Sequence, residues 1–265
     1  MKELFNCSNC LSVQYELLKD MYFDNIYETN NYVLCTSETM DDCFWNLAYL
    51  KTKANSNIID EIENKFRSIN RMPALYIGRD DSSYEENKKF ILDNNYQPKD
   101  TDVFMLLTDY NDIKCDIKIT VVQTKESYND FMKVLSSAYN DNIESSSENV
   151  YAGVVSKCYY DAIKKSIKSN KTYHIIGYNE DNIPVSVATL NIVNGIGLIN
   201  NVGTAQGFWN RGYSKQVLSY LIRLFKEKGG KDLLLCTEYQ SKNQTYYEKL
   251  GFKKVYVMEQ YIKNV

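Results

Sequence analysis

Arg211, Gly212 and Lys215 stand in FWNRGYSKQVLSYLI (Phe208–Ile222), where polar sequence gives way abruptly to an apolar repeat of helical period. Val217, Leu218, Leu221, Ile222, Leu224 and Phe225 make one face of that helix, and Gly229-Gly230 ends it. The stretch GLINNVGT just before the loop reads as a strand. The order is therefore strand, short glycine-bearing loop, helix N-terminus, with no carboxylate placed to cap the helix. The first N–H groups of a helix lack internal acceptors and carry the positive end of its dipole. A phosphate is the usual guest there. Gly212 lets the backbone approach such a guest closely, and Arg211 and Lys215 add charge. The pattern is neither GxxxxGK[ST] nor GxGxxG, so the common nucleotide-loop signatures are excluded.

Other reactive side chains read more blandly. The seven cysteines are scattered, and only Cys7 and Cys10 have C-x-x-C spacing, with no second pair to complete a zinc site. Reduced thiols and no metal centre are expected. His174, the only histidine, sits mid-strand and is expected to be structural. Cys236 lies in an apolar strand with no activating base nearby in sequence, and is read as core.

These residues need a scaffold, and 265 residues with 44% hydrophobic content suffice for two globular domains. A net charge of −3 argues against a nucleic-acid partner held by bulk electrostatics. No apolar run is long enough to span a bilayer, and MKELFNCSNCLSVQ lacks a signal-type apolar core, so no membrane partner and a cytoplasmic location are expected.

In the first half, NYVLCTS and CFWNLAYLK read as strands and SNIIDEIENKFRSIN as an amphipathic helix capped by Ser56 or Asn57. PALYIGR (strand), SSYEENKKFILDNNY (helix) and TDVFMLLTD (strand) follow. Polar DYNDIKCD marks a linker, dividing the chain into domains 1–112 and 117–265. The second half opens with the strand IKITVVQT and the helix KESYNDFMKVLSSAYN. A polar loop, DNIESSSENV, then leads to a helix around YYDAIKKSIKS. Three strands joined by NEDNIP and NG turns precede the glycine loop. After its helix come the strand KDLLLCTE, the helix SKNQTYYEKLGF and the strand KKVYVMEQYIK. The fold class is α/β, with a mixed, mostly antiparallel sheet flanked by helices. KKFILDNNYQPKDTDVFMLL also lies over QTYYEKLGFKKVYVMEQYI in pattern, pairing Asn95-Tyr96 with Gly251-Phe252 and suggesting two tandem copies of one fold.

The run NNVGTAQGFWNRGYSKQVLSYLI, followed by LLLCTEYQSKNQTYYEKLGF, resembles the core of the GNAT acyl-CoA N-acyltransferases. The resemblance runs from Tyr173 to the C-terminus, and element order carries it back to Ile117. It implies the GNAT fold for 117–265, with 1–112 as a degenerate copy, and acetyl-CoA as co-substrate. Val202, Gly203 and Thr204 match the strand whose backbone pairs with the pantetheine arm. Trp209, Asn210, Arg211, Gly212, Tyr213 and Ser214 match the pyrophosphate loop, with Lys215 beside it. The family's glutamine or arginine is replaced by Trp209, its second small residue by Ser214, and its usual proline by Gln206. Asn243 falls on the usual alanine and Gln240 on the usual asparagine.

Tyr247, four residues before Gly251, falls on the family tyrosine that protonates the departing thiolate. Glu238, ending LLLCTE, is the carboxylate best placed to deprotonate the amine, while Asn200 and Asn201 stand where some relatives carry a glutamate. The resemblance thus implies direct acetyl transfer to a primary amine. A non-catalytic acyl-CoA-binding module and an interaction protein that binds no nucleotide remain open alternatives.

Overall fold

The computed structural model describes residues 7–19, 21–140 and 157–263, so the loop read from DNIESSSENV lies outside the described residues. The chain forms two compact units, Met1–Asp109 with Cys236–Val265, and Tyr110–Leu235. The boundary read from sequence cuts the chain once, near residue 112; chain contacts cut it twice and join the last thirty residues to the first unit.

The first unit begins with α1 (Cys7–Leu18), β1 (Asn25–Glu28), β2 (Tyr32–Thr36), β3 (Leu47–Leu50), α2 (Ser56–Ser68), β4 (Ala74–Gly78), α3 (Tyr84–Asp93) and β5 (Gln97–Leu107). The second contains β6 (Lys118–Val121), α4 (Lys125–Asn140), α5 (Lys157–Ser166), β7 (Thr172–Tyr178), β8 (Pro184–Val193), β9 (Ile196–Thr204) and α6 (Tyr213–Glu227). The division falls within β10 (Asp232–Glu238), after which α7 (Lys242–Lys249) and β11 (Phe252–Ile262) belong to the first unit.

In the first unit the strand order is β1-β2-β3-β4-β11-β5. β3 and β4 are parallel, and the other pairs are antiparallel. The last strand of the sequence lies between β4 and β5, pairing Gln260 with Tyr76 on one side and Met258 with Asp102 on the other. That insertion ties the C-terminus to the first unit. Ile58, Ile59, Ile62 and Phe66 of α2 pack with Leu75, Ile77, Ile91 and Tyr261 on one sheet face. Each such burial is worth about 1.5–3 kcal/mol.

Two sequence expectations are corrected here. Asn55, not Ser56 or Asn57, caps α2, its side chain accepting from the Ile58 N–H at 3.1 Å. The strand expected over CFWNLAYLK is shortened to β3, because the Asp42 carboxylate accepts from the Phe44 and Trp45 N–H groups at 2.8 and 3.3 Å and folds that segment into a turn. Helix α1 and strand β1 have no counterpart in the sequence reading.

In the second unit the order is β10-β9-β8-β7-β6, with β9 and β10 parallel and the rest antiparallel. The fold class is the mixed, mostly antiparallel α/β type that the sequence indicates. α6 packs on β7–β9 through Val217, Leu218, Leu221, Ile222 and Phe225. Gly177 and Gly197 let it approach, since a Cβ there would lie 2.8 Å from Val217 and 2.6 Å from the Phe225 ring. α4 lies over Gly203, whose Cβ would be 2.7 Å from Ala138. The residues read as a linker are fastened to α6: Gln216 accepts from the Asp116 N–H at 2.7 Å, and Arg223 pairs with Asp112 at 2.9 Å. Among the described residues no helix is long and apolar enough to cross a membrane.

Candidate functional site

In the second unit the site is built on the end of β9 and the loop into α6. The parallel pairing of β9 with β10 ends at Ile199↔Leu235, and β9 runs on to Thr204. On its other side the register with β8 slips by one residue between Gly203↔Val187 and Asn200↔Thr189. Asn201 there has φ +51°. This is a β-bulge, which leaves one residue of β9 off the ladder and re-aims its neighbours. Val202 lies in the bulge.

Neighbouring groups already have protein partners. Ser186 donates to the Gly203 carbonyl at 2.8 Å, and the Trp209 indole N–H donates to the Thr204 carbonyl at 2.8 Å. Trp209, half exposed, therefore closes the loop back onto the strand end. The start of the loop is tied to α4 by the Gln206 N–H donating to Ser137 Oγ at 2.9 Å.

Gly207, Asn210 and Gly212 all have positive φ, giving the loop its three sharp turns. Gly212 is the N-cap of α6, at φ +79°, and no side chain caps this helix. By contrast, Asn55 caps α2, Ser241 caps α7, and α3 places Glu85 and Glu86 in its first turn. The first turn of α6 holds no acidic residue. Its neighbours are cationic: Lys215 is exposed, and the Arg211 guanidinium lies 5.5 Å from the Phe208 ring centroid. The Tyr213 side chain is buried with its ring 6.2 Å from that of Phe208, so it packs. A Cβ on Gly212 would meet nothing within 4 Å. The glycine is thus required by conformation alone, and space is open above it. Gly212→Ala should cost about 1–2 kcal/mol, the left-handed penalty without a steric addition, measurable by urea unfolding.

Asn200 and Asn201 are part of a polar network in the sheet. Asn200 donates to Asn191 at 3.0 Å, Asn191 to Thr172 at 2.9 Å, and Asn201 to Thr189 at 3.2 Å. Thr189 also meets His174 Nδ1 at 2.9 Å, and His174 Nε2 meets Ser166 at 2.8 Å. Burial drives the His174 imidazolium down to about 3, so the ring is neutral and structural, as its mid-strand position implies.

Tyr247, Asn243 and Glu238 belong to the first unit. α7 is positioned by Ser241, which accepts from the Gln244 N–H at 3.1 Å and donates to the Glu238 carbonyl at 2.8 Å. Asn243 and Glu238 are exposed. The Tyr247 ring is half-buried and stands edge-on to the buried Phe252, with centroids 6.0 Å apart. Cys236, read as core, is only half-buried. One carboxyl that pattern reading misses is Asp102, at the head of the buried run DVFML in β5. Among the described residues no group of three His, Cys, Asp or Glu is spaced to hold a metal.

Residues 136–252 match the acetyltransferase (GNAT) family. No curated protein matches the chain. Among solved structures, a GCN5-related N-acetyltransferase from Kribbella flavida is similar at TM-score 0.65 and 12% identity, over 96% of this chain and 95% of that one. A functionally unknown conserved protein from Staphylococcus epidermidis is similar at TM-score 0.64 and 15% identity, over 94% and 98%. A tandem GNAT protein from the clavulanic acid biosynthesis pathway is similar at TM-score 0.53 and 9% identity, over 87% and 77%. At these identities the likeness is one of fold.

Proposed function

We propose that this chain, whose residues 136–252 match the GNAT acetyltransferase family, is an acyl-CoA-dependent N-acyltransferase that moves an acetyl group from acetyl-CoA to a primary amine. The observation that carries this reading is the start of α6: no side-chain cap, a left-handed Gly212 with open space above it, and cationic Arg211 and Lys215. These residues fit a pyrophosphate. In this reading Asn210 to Ser214 supply backbone groups to it, and the bulged backbone of Val202–Thr204 lies along the pantetheine arm. In this reading the sequence domain 117–265 is the functional one, and 1–112 is a degenerate copy of it.

The bound thioester supplies an activated acyl carbon. A backbone N–H near Val202 stabilises the charge growing on the carbonyl oxygen. Glu238 takes the proton that the amine must lose, since a free alkylamine is mostly protonated near neutrality. As the N–C bond forms and the C–S bond breaks, the Tyr247 phenol gives its proton to the departing sulfur.

Thermal unfolding with acetyl-CoA, against NAD and ATP, tests the binding half of this reading. Acetyl-CoA at 100 times its dissociation constant should stabilise the chain by about 2.7 kcal/mol and raise the midpoint by about 5 °C or more, whereas the other two should not. An equal response to all three, or to none, removes it. A non-catalytic binding module is favoured by one observation, the Trp209 indole occupying the Thr204 carbonyl, and it predicts the same shift without turnover.

A further inference from the structure

Two buried carboxylates lie in the first unit, on opposite sheet faces, and they are treated differently. Glu259 faces α2 and α3, where burial would push its carboxyl up. Tyr261, Arg79 at 2.7 Å and Lys88 at 3.2 Å outweigh that and hold it down at about 2. Asp102 is only 8% exposed, and its Oδ2 has no hydrogen-bond partner among the described residues. Leaving a buried carboxylate oxygen without a partner is costly, and native folds rarely retain one without a use.

The surroundings of Asp102 indicate what it lacks. Its strand register puts it on the face of Tyr76 and Gln260, away from α2 and α3. Burial first, then the charges of Asp100 on β5 and Glu238 on β10, push its carboxyl up to about 7, with the Tyr76 hydroxyl on β4 pulling the other way. Cys43, Cys236, Asp100 and Asp102 all bear electrostatically on Tyr76, so these groups are neighbours. Lys99 bears on Cys43. A buried carboxylate oxygen without a hydrogen-bond partner thus lies close enough to two exposed carboxylates, Asp100 and Glu238, to feel their charge. The acids are not spaced to enclose a metal ion. An ammonium donates up to three hydrogen bonds and matches such an acidic cluster in charge.

We propose that Asp102, with Asp100 and Glu238 near it, is a seat for the ammonium group of a cationic alkylamine acceptor, an inference that rests on the acyltransferase reading of the same chain. The first half of the chain then contributes the residue that selects the acceptor. Near neutrality Asp102 exists in both protonation states. It binds the ammonium as a carboxylate, and Glu238 remains the group that takes the amine's proton.

The test is thermal unfolding of the full chain with 1,4-diaminobutane, against 1,4-butanediol as the neutral isostere, each up to about 100 mM. The variants are Asp102→Asn and, as a control carboxylate on the exposed side of α2, Asp60→Asn. At pH 8 the diamine should raise the midpoint of the unaltered chain and of Asp60→Asn, the diol should not, and Asp102→Asn should abolish the response. The shift should shrink at pH 6, where Asp102 is mostly protonated. The ligand-free variant also reports on folding. The folded chain holds the Asp102 proton more tightly than the unfolded chain does, so stability falls as pH climbs from about 4 through 7. Asp102→Asn escapes that loss and should melt higher than the unaltered chain at pH 8, while losing the diamine. Equal responses to diamine and diol, a full diamine response in Asp102→Asn, or no response at all each overturn the proposal. If acetyl-CoA gives no shift while the diamine result holds, the acyltransferase reading falls and the ammonium seat stands. The reverse pattern removes the seat alone.

Discussion

Replacing Tyr247 by Phe should lower kcat about 10²- to 10⁴-fold, the usual worth of a positioned proton donor, while leaving the acetyl-CoA thermal shift unchanged. The substitution removes one oxygen and keeps the ring that stands against Phe252, so the helix should stay in place. α7 has no fully buried residue, and its cap and that ring contact help to hold it, so a smaller side chain would confuse loss of position with loss of the proton. Acetyl transfer to an amine panel, followed as free thiol, is the measurement. Unchanged turnover would take the donor role from Tyr247. Absence of turnover in both proteins, with the acetyl-CoA shift intact, would instead select the binding-module reading.

What the sequence conveys well is whatever local chemistry dictates. The helix period from Val217 to Phe225, the Asn194-Gly195 turn and the Asn55-to-Phe66 helix are each set by residues within a few positions of one another. The loop at Gly212 is legible for the same reason: a helix start without a cap is a local fact. The likeness of the turns at Asn95 and Gly251 is legible too. Both residues follow a helix in the left-handed conformation and are followed by a buried aromatic, Tyr96 just before β5 and Phe252 at the start of β11.

What it hides is non-local. Nothing near β11 announces that it inserts between β4 and β5, since that choice is made by strands more than 140 positions away. Asp102 looks like an interruption in an apolar run. Its meaning comes from Tyr76 and Glu238, on other strands. The Asp42 turn is missed because β-branched and aromatic residues around it suggest a strand, and only the two N–H bonds to its carboxylate show otherwise.

The paired turns also separate two causes that one glycine can conceal. Gly251 has φ +96°, and a Cβ there would lie 1.5 Å from the Asp109 carbonyl oxygen, a backbone atom. The Gly251 carbonyl meanwhile accepts from the N–H groups of Thr108 and Asp109 at 3.0 and 3.3 Å, holding the two chains at that separation. Asn95 shows that the turn itself tolerates a side chain, at φ +65°. Gly251→Ala should therefore cost about 1–2 kcal/mol for conformation and about 1–3 kcal/mol for the displaced backbone, lowering the melting midpoint by roughly 4–20 °C. Gly251→Asn is the deciding variant. Asparagine relieves the conformational part, as at position 95, and leaves the clash. It should remain well below the unaltered chain, and a midpoint restored by asparagine would mean that the approach of Asp109 is not what keeps this residue glycine.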